Sequence, residues 1–353
     1  MKIAFVNDTF LEGRGADTVI YEIARRLGKK HEVVIISSDS DFPEENFKII
    51  NIKGGKLLTG STLRDSFSYI PNISKFRREV SRLNKQNRFE VLNIHHSSLN
   101  PAFLGSNEIP SVVTWYGSPL SRNGIRTMFN NFVLKSIRNR EISITISNYL
   151  KDKLLRSAPK SEVKVVYCGV SEEFKPTYKD KGYMLFVGRL EEHKRIHEII
   201  RLSKEVDCPL VLVGSGPLEK RLKNYAKRID ADKVRFSGKV SREELIKSYQ
   251  ECSFFVSSSK WEGFGLIFLE AAACAKPSIG YSAGSIPEVI SEGKSGFVVN
   301  NFREFKEKAK ILIKDKKLRV SMGKEALKFS KKFGWDRCVR EYEKIFLEVK
   351  NGK

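Results

Sequence analysis

The sequence predicts an α/β protein of two Rossmann-like domains, and three observations predict it. At 353 residues the chain exceeds one ordinary core, because roughly 100–200 residues make a domain. Short apolar bursts of strand length alternate with helical patterns, as in parallel sheets covered by helices. The alternation stops at a polar stretch rich in turn and breaker residues, 171–182, and then starts again.

The first half opens with a buried strand at residues 1–6 and a helix at 16–27 that sets Val19, Ile20, Ile23, Ala24 and Leu27 on one face. Residues 31–36 give the next strand, and further apolar bursts at 91–94, 111–115 and 142–146 alternate with helical patterns. After the linker, strands are expected at 183–187, 209–213, 234–236 and 253–257. The expected domains are 1–170 and 183–334, with a last helical segment, from residue 335 to the end, packing back on the first domain.

Composition narrows the function classes. Hydrophobic residues at 41% and charged residues at 30% are ordinary globular values. No apolar run approaches the roughly 18 residues of a membrane span, and the first eight residues do not read as a secretion signal. Cys168, Cys208, Cys252, Cys274 and Cys338 are odd in number, scattered and never form C-x-x-C, so neither a disulfide framework nor a zinc cluster is expected, and a reducing cytoplasm fits. Charge is the one extreme. Sixty-four Lys+Arg against 42 Asp+Glu leave +22, which favours anionic partners: nucleotides, nucleic acid or acidic membranes.

Three segments carry the chemistry. Gly13-Arg14-Gly15-Ala16-Asp17 lies between the first strand and its helix, where small residues let backbone N–H groups approach an anion; a plain turn explains it equally well. It lacks the third glycine of a dinucleotide fingerprint, as does Gly214-Ser215-Gly216, so NAD is not expected. In Val187-Gly188-Arg189-Leu190 with Lys194, a strand delivers two cations at its carboxyl end, where open α/β sheets bind ligands. Arg189 can fork onto phosphate oxygens and Lys194 can add a point charge, as a diphosphate leaving group requires; two solvated cations are the alternative. In Glu262-Gly263-Phe264-Gly265-Leu266-Ile267-Phe268-Leu269-Glu270-Ala271, glycines lead into an apolar helix, so Phe264, Gly265 and Leu266 would present N–H groups at its start. Glu270, one turn inside, could accept both hydroxyls of a ribose, and Glu262 a sugar hydroxyl. Dipole partnering is the bland reading, yet a carboxylate in so apolar a run needs a partner.

Together with Gly284-Ser285-Ile286-Pro287-Glu288-Val289-Ile290 and the segment from Gly293 to Val298, these motifs resemble the retaining GT-B glycosyltransferases of the glycogen-synthase-like family 4. The resemblance covers nearly the whole chain, most tightly residues 183–298. It implies two parallel sheets facing a central cleft, a nucleotide-sugar donor, guessed to be a UDP-hexose, held mainly by the C-terminal domain, and a glycan or lipid-linked acceptor held mainly by the N-terminal one. It implies no metal or other cofactor. By position, Arg189 and Lys194 bind the diphosphate, Glu270 the ribose and Glu262 the transferred sugar, while residues 264–266 donate backbone hydrogen bonds. Gly214 and the backbone near Val240 line the base pocket, and Gly15 approaches the phosphates. Transfer would retain anomeric configuration, with the leaving phosphate helping to deprotonate the incoming hydroxyl.

Two departures stand out. Many relatives place a histidine where Thr114-Trp115-Tyr116 has Tyr116, a poor base with a reference pKa near 10. His95 matches another family histidine near the cleft, with a satisfied structural histidine as the alternative. Cys168 stands where Asn is common and is read as packing.

The rivals are a metal-dependent GT-A transferase, for which only the chance-prone Asp39-Ser40-Asp41 speaks, a nucleotide-sugar epimerase on the GT-B architecture, and a nucleic-acid-binding protein suggested by charge. The 23 phenylalanines fall mostly on core-like positions, not between basic clusters, so nucleic acid is not expected. At 100° per residue, Phe76, Val80 and Leu83 oppose Arg77, Arg78, Arg82, Lys85 and Arg88, and residues 125–140 repeat the pattern. Such cationic faces suit electrostatic docking on an anionic membrane, with a solvated helix face as the plain alternative.

Overall fold

The structure, a computed structural model, describes residues 1–12, 15–52, 63–95, 109–117 and 142–352. The basic segment 125–140, and Gly13 and Arg14 of the first turn, lie outside the described residues. The chain divides into two compact units, Met1–Cys168 with Trp335–Lys353, and Gly169–Gly334.

Among the described residues of the first unit, strands β1 (Lys2–Val6), β2 (Glu32–Ser37), β3 (Lys48–Asn51), β4 (Val91–Ile94), β5 (Ser111–Trp115), β6 (Ile142–Thr145) and β7 (Glu162–Val165) form one parallel sheet in the order 3-2-1-4-5-6-7. The central strands are apolar on both faces because helices cover both; Ile3, Ala4, Phe5 and Val6 are fully buried. Helix α1 (Gly15–Leu27) buries Val19, Ile20, Ile23, Ala24 and Leu27 and sets Arg25 and Arg26 in its last turn, where the dipole favours cations. Helix α2 (Leu63–Asn87) buries Phe76, Val80 and Leu83 and exposes Arg77, Arg78, Arg82 and Lys85. Helix α3 (Asn148–Ser157) starts on Ser147, whose side chain accepts from the Leu150 N–H. The C-terminal helix (Trp335–Lys350) packs on α1, β4 and β5, with Tyr342 and Phe346 fully buried.

In the second unit β8 (Met184–Val187), β9 (Leu210–Val213), β10 (Val234–Gly238), β11 (Phe254–Ser257), β12 (Ser278–Tyr281) and β13 (Gly296–Val299) are parallel in the order 10-9-8-11-12-13. Around them lie α4 (Ile196–Val206), α5 (Glu219–Arg228), α6 (Arg242–Glu251), α7 (Leu266–Ala273), α8 (Ile286–Val289), α9 (Phe302–Lys314) and α10 (Lys316–Ser330). The stretch 171–182, read from the sequence as a linker, lies within this unit and is fastened to it. Arg242 forks onto Glu173 at 2.9 and 3.0 Å, Thr177 donates to the Gln250 carbonyl at 2.6 Å, and Arg319 pairs with Asp180 at 2.6 Å.

Each sheet has one point where the strand order reverses, between β1 and β4 and between β8 and β11. Chains leave such neighbouring strands in opposite directions and open a crevice at the carboxyl ends, which is where ligands of open sheets bind. No helix among the described residues is long and apolar enough to cross a membrane.

Candidate active site

At the reversal point of the second sheet, the exits of β8 and β11 run side by side. After β8 come Gly188 and Arg189, a short 3-10 turn at Glu192–Lys194 and Arg195, whose φ of 49° turns the chain into α4. The Lys260 N–H donates to the His193 carbonyl at 2.8 Å, and the Ser258 hydroxyl lies 2.9 Å from the carbonyls of both Lys194 and Arg195. These bonds bring together two side chains assigned separately from sequence: Lys194 Nζ lies 2.6 Å from Glu262 Oε1, each side chain only 12% exposed. The Glu262 carbonyl accepts from both the N–H and the hydroxyl of Ser285, at 3.2 and 3.0 Å. Gly284, at φ 63°, permits this approach, since a Cβ there would sit 2.6 Å from the Glu262 N and O.

Arg189 stands nearby with its side chain 65% exposed, steered by Glu191 at 2.8 Å. Glu270 has the partner its apolar setting demands. The Tyr249 hydroxyl, fully buried on α6, donates to it at 2.7 Å. Burial raises the Glu270 pKa, and the Tyr249 hydrogen bond and the Arg242 charge oppose that rise. Sequence reasoning missed Tyr249. The signal available was an aromatic residue in an otherwise polar helix, and nothing in the sequence tied it to Glu270.

At the start of α7, Gly265 takes φ 95° as N-cap, and a Cβ there would meet Phe268 at 3.1 Å and Val289 at 3.3 Å. The Phe264 ring is core, packed edge-on against Phe333 at 5.9 Å, so its side chain takes no part in the predicted role. Leu266, the first residue of α7, is partly buried. First-turn N–H groups of a helix have no acceptor inside it.

Gly214 and Gly216 are required by the fold itself. A Cβ on Gly214, at φ 126°, would lie 2.2 Å from the Gly188 carbonyl oxygen, and one on Gly216 would lie 2.5 Å from the Leu190 N and O. The Gly214 N–H already donates to the Gly238 carbonyl at 2.8 Å. Val240 is partly buried and leads into the capping box of α6, made by Ser241 and Glu244.

In the first unit, Gly15 opens α1 with nothing within 4 Å of where a Cβ would be, so nothing described in the protein requires glycine there. Asp17, buried behind it, accepts from Asn7 Nδ2 and from the Leu11 N–H, both at 2.9 Å. His95 follows β4 at the reversal point and its N–H donates to the Val6 carbonyl at 2.8 Å. Its Nδ1 lies 2.8 Å from the Tyr116 hydroxyl, while its Nε2 has no partner among the described residues. The imidazole is therefore half satisfied. Burial lowers its pKa to about 3 and raises that of Tyr116 well above the usual range, so His95 is neutral and Tyr116 is no base at neutral pH. Burial likewise raises the Cys168 thiol, in keeping with a packing role.

Comparison with known proteins follows the same division. The family model for glycosyl transferases group 1 matches residues 170–329, and that for glycosyltransferase family 4 matches residues 13–174. An uncharacterized glycosyltransferase of Methanocaldococcus jannaschii is 31% identical over 245 residues, 68% of this chain and 69% of the relative. The N-acetyl-alpha-D-glucosaminyl L-malate synthase of Bacillus anthracis is 24% identical over 377 residues, 96% of each chain. Among solved structures, sucrose-phosphate synthase from Thermosynechococcus elongatus superposes with a TM-score of 0.87 at 17% identity over 100% of both chains. Anabaena HepE, solved in complex with UDP and glucose, gives 0.79 at 16% identity over 99% of this chain and 100% of its own.

Proposed function

Since the chain belongs to the group 1 glycosyltransferases and has their GT-B fold, we propose that it moves a hexose from UDP-hexose to a glycan or lipid-linked acceptor with retention of configuration and without a metal. The observation that carries the reading is the Lys194–Glu262 pair at the reversal point of the second sheet. Without ligand the two charges satisfy each other. A nucleotide-sugar replaces both partners at once, giving Lys194 a diphosphate and Glu262 a sugar hydroxyl. Arg189, exposed beside them, takes the diphosphate as a fork. Glu270, oriented by Tyr249, takes the ribose. Phe264, Gly265 and Leu266 donate backbone N–H groups, Gly214 and Val240 border the base, and Gly15 lets α1 approach a phosphate.

In the step itself the bond from the sugar's anomeric carbon to the diphosphate oxygen breaks, and the acceptor oxygen bonds to that carbon on the same face. The acceptor proton passes to the departing phosphate oxygen. Lys194 and Arg189 stabilise the charge that develops there, which is where fixed cations lower a barrier most.

A panel of nucleotide sugars tests this. A ligand at about 100 times its Kd adds roughly 2.7 kcal/mol of stability, so UDP-hexoses should raise the Tm while NAD does not. Transfer should need an acceptor, keep the donor's anomeric configuration and persist in a chelator. No shift with any nucleotide sugar and no acceptor-dependent UDP release would reject the reading. An inverted product would reject retention, and loss in chelator restored by manganese would reject metal independence.

The outward face of α2 supports a cytoplasmic enzyme docked peripherally on an anionic membrane: Arg77, Arg78, Arg82 and Lys85 are exposed opposite the buried stripe. Each such residue contributes on the order of 1 kcal/mol near an anionic bilayer. Co-sedimentation should therefore be strong with anionic liposomes at low salt and weak at high salt or with neutral ones. Equal, negligible binding to both would end the membrane claim and leave the transferase claim intact.

A further inference from the structure

Among the described residues, five that are not glycine adopt a positive φ: Arg88, Arg195, Asp207, Asp230 and Ala275. Four of them stand just past the end of an α-helix, where a left-handed residue is an ordinary stop. Arg195, at φ 49°, instead ends the 3-10 turn that carries Lys194 and begins α4 in the same step, although helices normally start from an extended residue. A residue with a Cβ is disfavoured there, so its surroundings must hold it. The backbone is tied by the Ser258 hydroxyl, 2.9 Å from the Lys194 and Arg195 carbonyls, and by the Glu198 N–H, which donates to the Arg195 carbonyl at 2.8 Å. The side chain is tied separately. Its guanidinium pairs with Glu198 Oε1 and lies 5.6 Å from the centre of the Tyr281 ring, while the Tyr281 hydroxyl donates to Glu198 Oε2 at 2.7 Å. Glu198 and Tyr281 are both buried, so water hardly competes for these bonds.

We propose that Arg195, held by Glu198 and Tyr281, is a positioning residue: it locks the left-handed turn from which Lys194 reaches the diphosphate of the donor. That Lys194 meets a diphosphate rests on the transferase reading. Without ligand the Lys194 ammonium is fixed by Glu262 at 2.6 Å. When the donor takes the place of Glu262 that anchor is gone, and the backbone behind Lys194 is what keeps the charge where negative charge develops. The guanidinium of Arg195 is committed to Glu198 and the Tyr281 ring, so it acts through Lys194 and is not a third phosphate cation.

Arg195→Ala and Arg195→Gly test this on the full chain, because both remove the guanidinium and they differ only in the Cβ that a left-handed turn disfavours. With the UDP-hexose that raises the Tm most, Arg195→Ala should lower kcat/KM about fivefold and Arg195→Gly at most about twofold. In a Lys194→Ala background Arg195→Ala should have no further effect, since no ammonium is left to place. Tyr281→Phe, which keeps the ring and removes the hydroxyl, should cost about threefold in the wild-type and nothing in Arg195→Gly, and it covers an Arg195→Ala protein that folds poorly. Denaturation without ligand should give Arg195→Gly the higher midpoint of the two. Equal kinetic losses in the alanine and glycine variants would show that the guanidinium itself meets the donor and would overturn the proposal. So would a full Arg195→Ala effect in the Lys194→Ala background, and equal midpoints would remove the strained turn on which it stands. Absence of transfer from every nucleotide sugar, with the midpoints ordered as expected, would instead count against the transferase reading.

Discussion

Lys194→Ala is expected to lower kcat/KM for the donor by about 10- to 100-fold, the worth of charge-assisted hydrogen bonds of about 1.5–3 kcal/mol, and also to destabilise the ligand-free protein. The second effect follows from burial. With each side chain only 12% exposed, removing the ammonium leaves the Glu262 carboxylate without its 2.6 Å partner in a site water barely reaches. Breaking such a pair costs about 3–5 kcal/mol, whereas removing both partners costs less. A double-mutant cycle of Lys194→Ala, Glu262→Ala and the pair should therefore show coupling of about 1–3 kcal/mol in denaturation without donor. Arg189→Ala offers the contrast. Its 2.8 Å pair with Glu191 is largely exposed and worth at most about 1 kcal/mol, so it should lose activity to the same degree as Lys194→Ala while keeping its stability. Stability losses that add independently, together with wild-type kinetics in both single cation variants, would show that this pair is not the donor site.

The residues of that pair were legible because each belongs to a motif, but the pair itself was not, since it arises from two loops 68 positions apart. The same physics decided which strands could be read. Central strands such as Ile3-Ala4-Phe5-Val6 are covered on both faces and form unbroken apolar runs. Strands β3, Lys48-Ile49-Ile50-Asn51, and β7, Glu162-Val163-Lys164-Val165, are edge strands, and half of their residues are polar. Strand β12 carries Gly280 in its middle, which breaks the β signal. The structure supplies its reason, as a Cβ there would lie 2.9 Å from Ile286 and Phe268. Glu270 announced its need for a partner through its apolar neighbours, but Tyr249 came from a different helix. Tyr116 and His95 were each noted as departures or matches, but their 2.8 Å contact joins the exits of two strands 21 positions apart, where no local pattern reaches.

Glycine shows most sharply what spacing alone does not reveal, and its expected stability effect matches that of breaking the Lys194–Glu262 pair. Gly15 and Gly214 both follow a strand and precede a helix, and in sequence both read as anion loops or as plain turns. Gly214→Ala should destabilise the second unit by roughly 3–5 kcal/mol. Its φ of 126° is strained for any side chain, and its Cβ would collide at 2.2 Å with the Gly188 carbonyl oxygen, a backbone atom that cannot swing aside. Gly15→Ala should leave stability unchanged or raise it by up to about 1 kcal/mol, because alanine restricts the unfolded chain and the described residues leave the methyl open space. Its cost should appear in kinetics instead, as a donor kcat/KM lower by about tenfold or more, if the methyl occupies room that α1 keeps for a phosphate. Denaturation midpoints and donor kinetics on the two variants separate the cases. A stable Gly214→Ala protein would contradict the close approach of the two strand exits, and a Gly15→Ala enzyme with wild-type donor kinetics would return Gly15 to the status of an ordinary turn. Gly214 is thus explained by the protein backbone that would meet its missing Cβ, whereas at Gly15 the donor kinetics decide whether a ligand fills that place.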